Sequence, residues 1–178
     1  NQSDTFILSG AVPYSLVGGS GNDKFIFLDK ATLQGSIDGR AGLDTLDFSA
    51  YLSARNTSLS AAGINGFSGI QAAISGGFGN INTLLGSQSD ADNLTGMNTS
   101  STYKIGTNID GNYTYQVIVS GYTLDFESYE HLVGGNGNDT FAFSGSGRIL
   151  GSINGGGGIN TLDYSDYDLG DSSGVVVN

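Results

Sequence analysis

The sequence predicts an all-β protein, a right-handed parallel β-solenoid of about nine short coils joined by Gly-Asn-Asp turns. Three observations carry that prediction. Glycine supplies 30 of the 178 residues, with one Pro and no Gly-X-Y period, against roughly 7% glycine in an average chain. Residues 16–51 and 132–167 are two copies of one unit, aligned without a gap at an offset of 116 and identical at 19 of 36 positions. Within each copy an acidic or amide residue recurs at intervals of 19 to 21 and is followed by alternating apolar positions, the pattern of a short strand.

The elements follow in order. Asp4-Thr5-Phe6-Ile7-Leu8 mirrors Asp139-Thr140-Phe141-Ala142-Phe143, so the chain reads as starting inside a preceding copy. Lys24-Phe25-Ile26-Phe27 and Thr45-Leu46-Asp47-Phe48 are the next strands, with Asp4, Asp23 and Asp44 at their heads; Asp139 and Asn160 head the corresponding pair in the second copy. A coil of this length buries its inward side chains only by stacking on its neighbours. The expected inward ladders are Phe6, Phe25, Phe27, Leu46 and Phe48 in one half, and Phe141, Phe143, Leu162 and Tyr164 in the other.

Residues 52–131 are a less regular connector. Fragments of the unit return at 76–84 and in Asp92-Asn93-Leu94-Thr95-Gly96, and 69–74 reads as either a short helix or a variable coil. Strands are expected at 102–105, 113–119 and 122–126, the second with Tyr113, Tyr115, Val117 and Val119 on one face, and a last one at Val175-Val176-Val177. The whole, 1–178, is expected to be a single unit: a first repeat region (1–51), the connector (52–131) and a truncated second copy (132–178). It reads as a fragment of a tandem array whose uncapped ends contact adjacent repeats of the same chain, or identical subunits end to end.

Composition bounds the function. A net charge of −11, with 6 Lys plus Arg against 17 Asp plus Glu, gives no cationic face for nucleic acid and favours cations as partners. The absence of cysteine excludes disulfides, thiolate zinc sites and a cysteine nucleophile. No run of 18 apolar residues is present, so no membrane-spanning helix is expected, and the first residues are unlike an export signal.

Chemistry concentrates at the turns. Gly18-Gly19-Ser20-Gly21-Asn22-Asp23-Lys24-Phe25-Ile26 and Gly134-Gly135-Asn136-Gly137-Asn138-Asp139-Thr140-Phe141-Ala142 both fit G-G-x-G-x-D-x-U-x. Glycines let such a turn direct carbonyl oxygens into one concavity, and the Asp carboxylate closes it. Ca²⁺ takes six or more oxygens, more than one turn supplies, so two stacked turns would share an ion. The partner turns are Gly39-Arg40-Ala41-Gly42-Leu43-Asp44 and Gly155-Gly156-Gly157-Gly158-Ile159-Asn160. The candidate calcium ligands are therefore Gly18, Gly19, Gly21, Asp23, Gly39, Gly42 and Asp44 in the first copy, and Gly134, Gly135, Gly137, Asp139 and Asn160 in the second. Arg40 in place of the second glycine and Asn160 in place of Asp both weaken such a site. The alternative is a metal-free edge in which Asn and Asp side chains accept backbone N–H groups as stacked Asx ladders.

With LVGGNGNDTFAF and GSINGGGGINTLDYSDY as its marks, the chain resembles the RTX-like and filamentous-haemagglutinin-like repeat regions of very large bacterial surface adhesins. The resemblance covers two stretches of about 36 residues and implies secretion to the cell surface, a β-solenoid, and a role as stalk or adhesive surface.

Other chemistry is thin. His131 is the only histidine and stands where the first copy has Ser15, so a polar turn role is expected of it rather than catalysis. Glu127 and Glu130, the only glutamates, could in principle pair as acid and base. Asp47 and Asp163 recur in Thr-Leu-Asp-(Phe/Tyr)-Ser and are expected to hold one turn in each copy. Thr5, Thr45, Thr83, Thr140 and Thr161 are candidates for an outward ladder. No enzyme is expected. The reading is a structural or adhesive repeat segment, with a carbohydrate-binding module as the alternative, its sugar platforms drawn from Tyr103, Tyr113, Tyr115, Tyr122 and Tyr129.

Overall fold

A computed structural model describes residues 2–106, 113–118 and 120–168. Among them the chain is all-β, without helix. The first copy forms β1 (Thr5–Leu8), β2 (Ala11–Val12), β3 (Leu16–Gly19), β4 (Lys24–Phe27), β5 (Thr32–Leu33), β6 (Ile37–Arg40) and β7 (Thr45–Asp47). The connector forms β8 (Asn56–Gly63), β9 (Gly66–Gln71), β10 (Ile74–Ile81), β11 (Thr83–Leu85), β12 (Asn93–Thr95), β13 (Ser101–Ile105), β14 (Tyr113–Val117) and β15 (Thr123–Glu127). The second copy forms β16 (His131–Gly135), β17 (Thr140–Gly145), β18 (Ile153–Gly156) and β19 (Thr161–Tyr167).

Two sheets result. The first runs β1-β4-β7-β11-β15-β14-β13-β17-β19, and the second β18-β16-β12-β8-β9-β10-β5-β2, with β3 beside β6 and β6 on β10. Inside the two copies the pairing is parallel and steps by the expected interval: Thr5 lies opposite Lys24, Lys24 opposite Thr45, Leu16 opposite Ile37, Leu132 opposite Ile153 and Thr140 opposite Thr161.

The connector departs from the uniformly parallel expectation. β8, β9 and β10 form an antiparallel meander in the second sheet, with Thr57 opposite Gln71 and Phe78 opposite Gly69. β13, β14 and β15 form another in the first, with Tyr115 opposite both Tyr103 and Leu124. From β7 the chain runs ahead to β8 and fills back through β9 to β10, whose far edge meets β5 and β6. β11 then rejoins the first sheet against β7, and the second excursion fills back from β13 to β15, which settles on β11. The helix considered for 69–74 is absent: those residues are the end of β9, a turn at Ala72-Ala73, and the start of β10.

Phe25, Phe27, Leu46, Phe48, Phe141 and Phe143 are buried as expected, with Phe6 and Tyr164 packed partly against the same core. In-register parallel pairing sets like positions over one another. Phe6 thus stacks on Phe25 with centroids 4.9 Å apart, Tyr103 on Phe141 at 4.7 Å, and Phe143 on Tyr164 at 4.5 Å. Between the sheets, Phe67 of β9 meets Tyr115 of β14 edge-on at 5.8 Å. Tyr113 is half-buried; Val119, the side chain of Val117 and the expected strand at 175–177 lie outside the described residues.

Three connector tyrosines are fully enclosed, each with its hydroxyl bonded. Tyr103 donates to Val133 O (2.7 Å), Tyr115 accepts the Met97 N–H (2.8 Å), and Tyr129 meets Thr57 Oγ1 (2.9 Å). Burial pushes all three phenols above the ordinary tyrosine range. Tyr115→Phe keeps the ring but leaves the Met97 N–H without an acceptor. It should cost about 1–2 kcal/mol in urea unfolding, and an unchanged midpoint would mean that water satisfies the amide.

Candidate functional site

The residues that head the strands form a hydrogen-bonded column along one edge of the first sheet. The Asp4 N–H donates to Asp23 Oδ1 (2.7 Å), the Asp23 N–H to Asp44 Oδ1 (2.8 Å), and the Asp44 N–H to Asn82 Oδ1 (2.9 Å). The backbone answers in the other direction, with the Lys24 N–H donating to Asp4 O, and the Thr45 N–H to Asp23 O. Each step is thus closed by two bonds, one from the side chain and one from the main chain. The second copy repeats the arrangement: Ser101 N–H to Asp139 Oδ1 (3.0 Å), then Asp139 N–H to Asn160 Oδ1 (2.9 Å). A third column links Arg55 N–H to Asp92 Oδ1, and Asp92 N–H to Glu130 Oε2 (3.0 Å).

The first glycine of each turn makes room for this column. A Cβ on Gly18 would lie 2.2 Å from Asp23 Oδ2, one on Gly39 2.5 Å from Asp44 Oδ2, and one on Gly134 2.5 Å from Asp139 Oδ2. At the second position Arg40 adopts a left-handed φ of 67° where its register partner Gly19 and repeat counterpart Gly156 are glycine. Asp38 holds it there, accepting the Arg40 N–H at 3.0 Å, as Asn154 accepts the Gly156 N–H. Arg40→Gly removes the steric penalty and should stabilise the protein by about 1 kcal/mol; an unchanged or lower melting temperature would mean that the Arg40 side chain offsets it.

What the column leaves over is one carboxylate oxygen per turn. Oδ2 of Asp23, Asp44 and Asp139 is buried without a hydrogen-bond partner. Burial raises the Asp44 pKa; the bond from the Asp23 N–H opposes this, and the Asp23 charge adds to it. The sequence-predicted pairs do come together, Asp23 with Asp44 and Asp139 with Asn160, in separate parts of the first sheet. As a calcium shell they are partial: each Asp has Oδ1 committed to an amide, and among the described residues no three His, Cys, Asp or Glu side chains converge. An ion would need backbone carbonyls to complete its six or more oxygens.

The remaining candidates have local duties. His131 Nδ1 takes the Ser152 N–H at 3.1 Å, as Ser15 Oγ takes the Ser36 N–H at 3.1 Å in the first copy. Asp47 and Asp163 accept the N–H of Ser49 and Ser165, the same turn twice. Burial would raise the Asp47 carboxyl, but Lys24 at 2.7 Å and Ser49 hold it below the usual carboxylate range. Glu130 belongs to the third column and Glu127 is exposed on β15. Thr5, Thr45 and Thr83 share one outward row but Lys24 interrupts it. Tyr103, Tyr115 and Tyr129 are core residues with no face open to a sugar.

Sequence reasoning missed Asn82, Asp92, Ser101 and Glu130 as members of the columns. Asn82-Thr83-Leu84 and Asp92-Asn93-Leu94 carry the signal, since each repeats the pattern of a polar acceptor ahead of a short strand. No family model matches the chain, and neither a curated protein nor a solved structure does.

Proposed function

We propose that the chain is a structural and adhesive repeat segment of a secreted bacterial surface protein, a β-solenoid locally interrupted by two meanders. The observation that carries this reading is the duplicated column. Residues that could have served catalysis, among them His131, Glu130 and Asp139, instead accept backbone amides that hold one turn on the next. The resemblance to adhesin repeats supports the extracellular setting. A glycan array is expected to be negative; tight binding to one glycan would overturn the spacer reading in favour of a carbohydrate-binding module.

The partnerless Oδ2 atoms favour a second reading, in which the edge takes up Ca²⁺. Thermal melting followed by circular dichroism, with millimolar Ca²⁺ or with chelator, separates the two. If the amide bonds of the column hold the edge by themselves, the melting temperatures are expected to be equal. A calcium-dependent rise would instead assign the buried oxygens to an ion.

A further inference from the structure

Resting on the spacer reading above, we propose that β18 and β19 of one molecule take β3 and β1 of a second copy as their next strands, so that copies join head to tail in one register. Among the described residues β1 pairs only with β4 and β19 only with β17, so both are outer strands of the first sheet as described. Leu46, which β11 covers, is 0% exposed, whereas its repeat counterpart Leu162 on β19 is 46% exposed. At the opposite end Phe6 has Phe25 stacked on one side and, among the described residues, no strand on the other.

Setting Thr5 of the second copy opposite Thr161 places Phe6 over Leu162 and Leu8 at Tyr164. Phe25 already lies over Leu46 in this way within the chain. The hydrogen bonds match too. At each internal step the side chain of the following turn accepts the N–H of the preceding one. Among the described residues Asn160 is a column member whose N–H has no such acceptor, and the exposed Asp4 carboxylate, at the start of the other column, has no donor. The join supplies one to the other, and the Thr5 N–H meets Asn160 O as the Lys24 N–H meets Asp4 O. In the second sheet it sets Leu16 on Ile153 and Ser15 on Ser152, repeating the contact of Ser36 with Ser15. A carboxylate there stacks on a neutral amide, which matters in a chain of charge −11. Because the two edges differ, the contact is heterologous, and a join that continues both sheets in strand register adds copies in line.

Sedimentation of the whole chain tests this. The average mass should rise with concentration without stopping at two copies. Thr5→Pro removes the donor on β1 and Leu162→Arg places a charge in the join; both alter outer strands, and circular dichroism checks that they fold. Each variant alone should be monomeric, and an equal mixture should stop at a dimer, since one retains an intact β19 and the other an intact β1. Register is read independently in this cysteine-free chain. Oxidised Thr5→Cys/Thr161→Cys should give a ladder of covalent multimers, and Thr5→Cys alone should not. A wild type that stays monomeric, a mixture that stays monomeric, or variants that assemble like wild type would overturn the join. Those results would leave the spacer reading to the glycan array, which does not depend on assembly.

Discussion

Gly42→Ala should destabilise the protein by on the order of 4 kcal/mol, while Gly19→Ala, at nearly the same backbone angle, should cost about 2 kcal/mol. Gly19 has φ of 129° and Gly42 of 136°, a region closed to side chains, so both substitutions strain the backbone. They differ in what lies alongside. A Cβ on Gly19 meets nothing within 4 Å, but one on Gly42 would lie 2.0 Å from the carbonyl oxygen of Gly21, on the preceding turn. That obstacle is backbone, so relief requires the turns to separate, and separation breaks bonds such as Ala41 N–H to Gly19 O (3.0 Å). Urea unfolding of the two variants isolates turn-on-turn contact from local strain. Equal losses would mean that the turns separate at little cost.

The second large effect lies one step inward. Asp44→Ala deletes the acceptor for the Asp23 N–H inside an enclosed column and should cost about 2–3 kcal/mol. Asp44→Asn should do the opposite at neutral pH, stabilising by about 1 kcal/mol. It keeps Oδ1 for the amide and replaces a partnerless buried carboxylate oxygen with an NH₂ group. The second copy already carries this solution, for Asn160 Nδ2 donates to Gly157 O at 3.0 Å, and Ala41 stands at the corresponding position. The sign with pH follows from the raised Asp44 pKa. A raised group stabilises the folded state when protonated and loses that contribution as pH rises through its folded value. The advantage of Asn over Asp should therefore shrink as pH falls through the raised pKa toward the ordinary carboxylate range of roughly 4. A loss of stability in Asp44→Asn that appears only when calcium is present would favour the metal reading.

The parts of the fold legible in the sequence are those where a residue's role depends on spacing. Asp23 and Asp44 lie 21 apart, and that interval alone predicts that their turns are neighbours, as do Asp139 and Asn160. Strand direction was not legible in the connector. Alternation in Phe67–Gln71 has period two whichever way the strand runs, so it cannot distinguish a parallel coil from an antiparallel return. Asn65-Gly66, the last residue of the β8–β9 turn and the first of β9, was the available sign of reversal. The chemistry of the edge was ambiguous for a different reason. Glycine followed by aspartate serves either to point oxygens at an ion or to let a carboxylate tuck beneath a bare Cα and take an amide, and the same letters encode both.

The two back-filled excursions give the molecule an uneven response to tension. In the copies, a pull on the chain can peel one strand pair at a time from each end, because neighbours in sequence order are neighbours in the sheet. Between β7 and β16 each excursion lays down three adjacent strands in reverse order, so slack cannot be paid out singly there. The middle behaves as two clasps between peelable ends, and a stretched molecule would shed its outer turns while the connector still held.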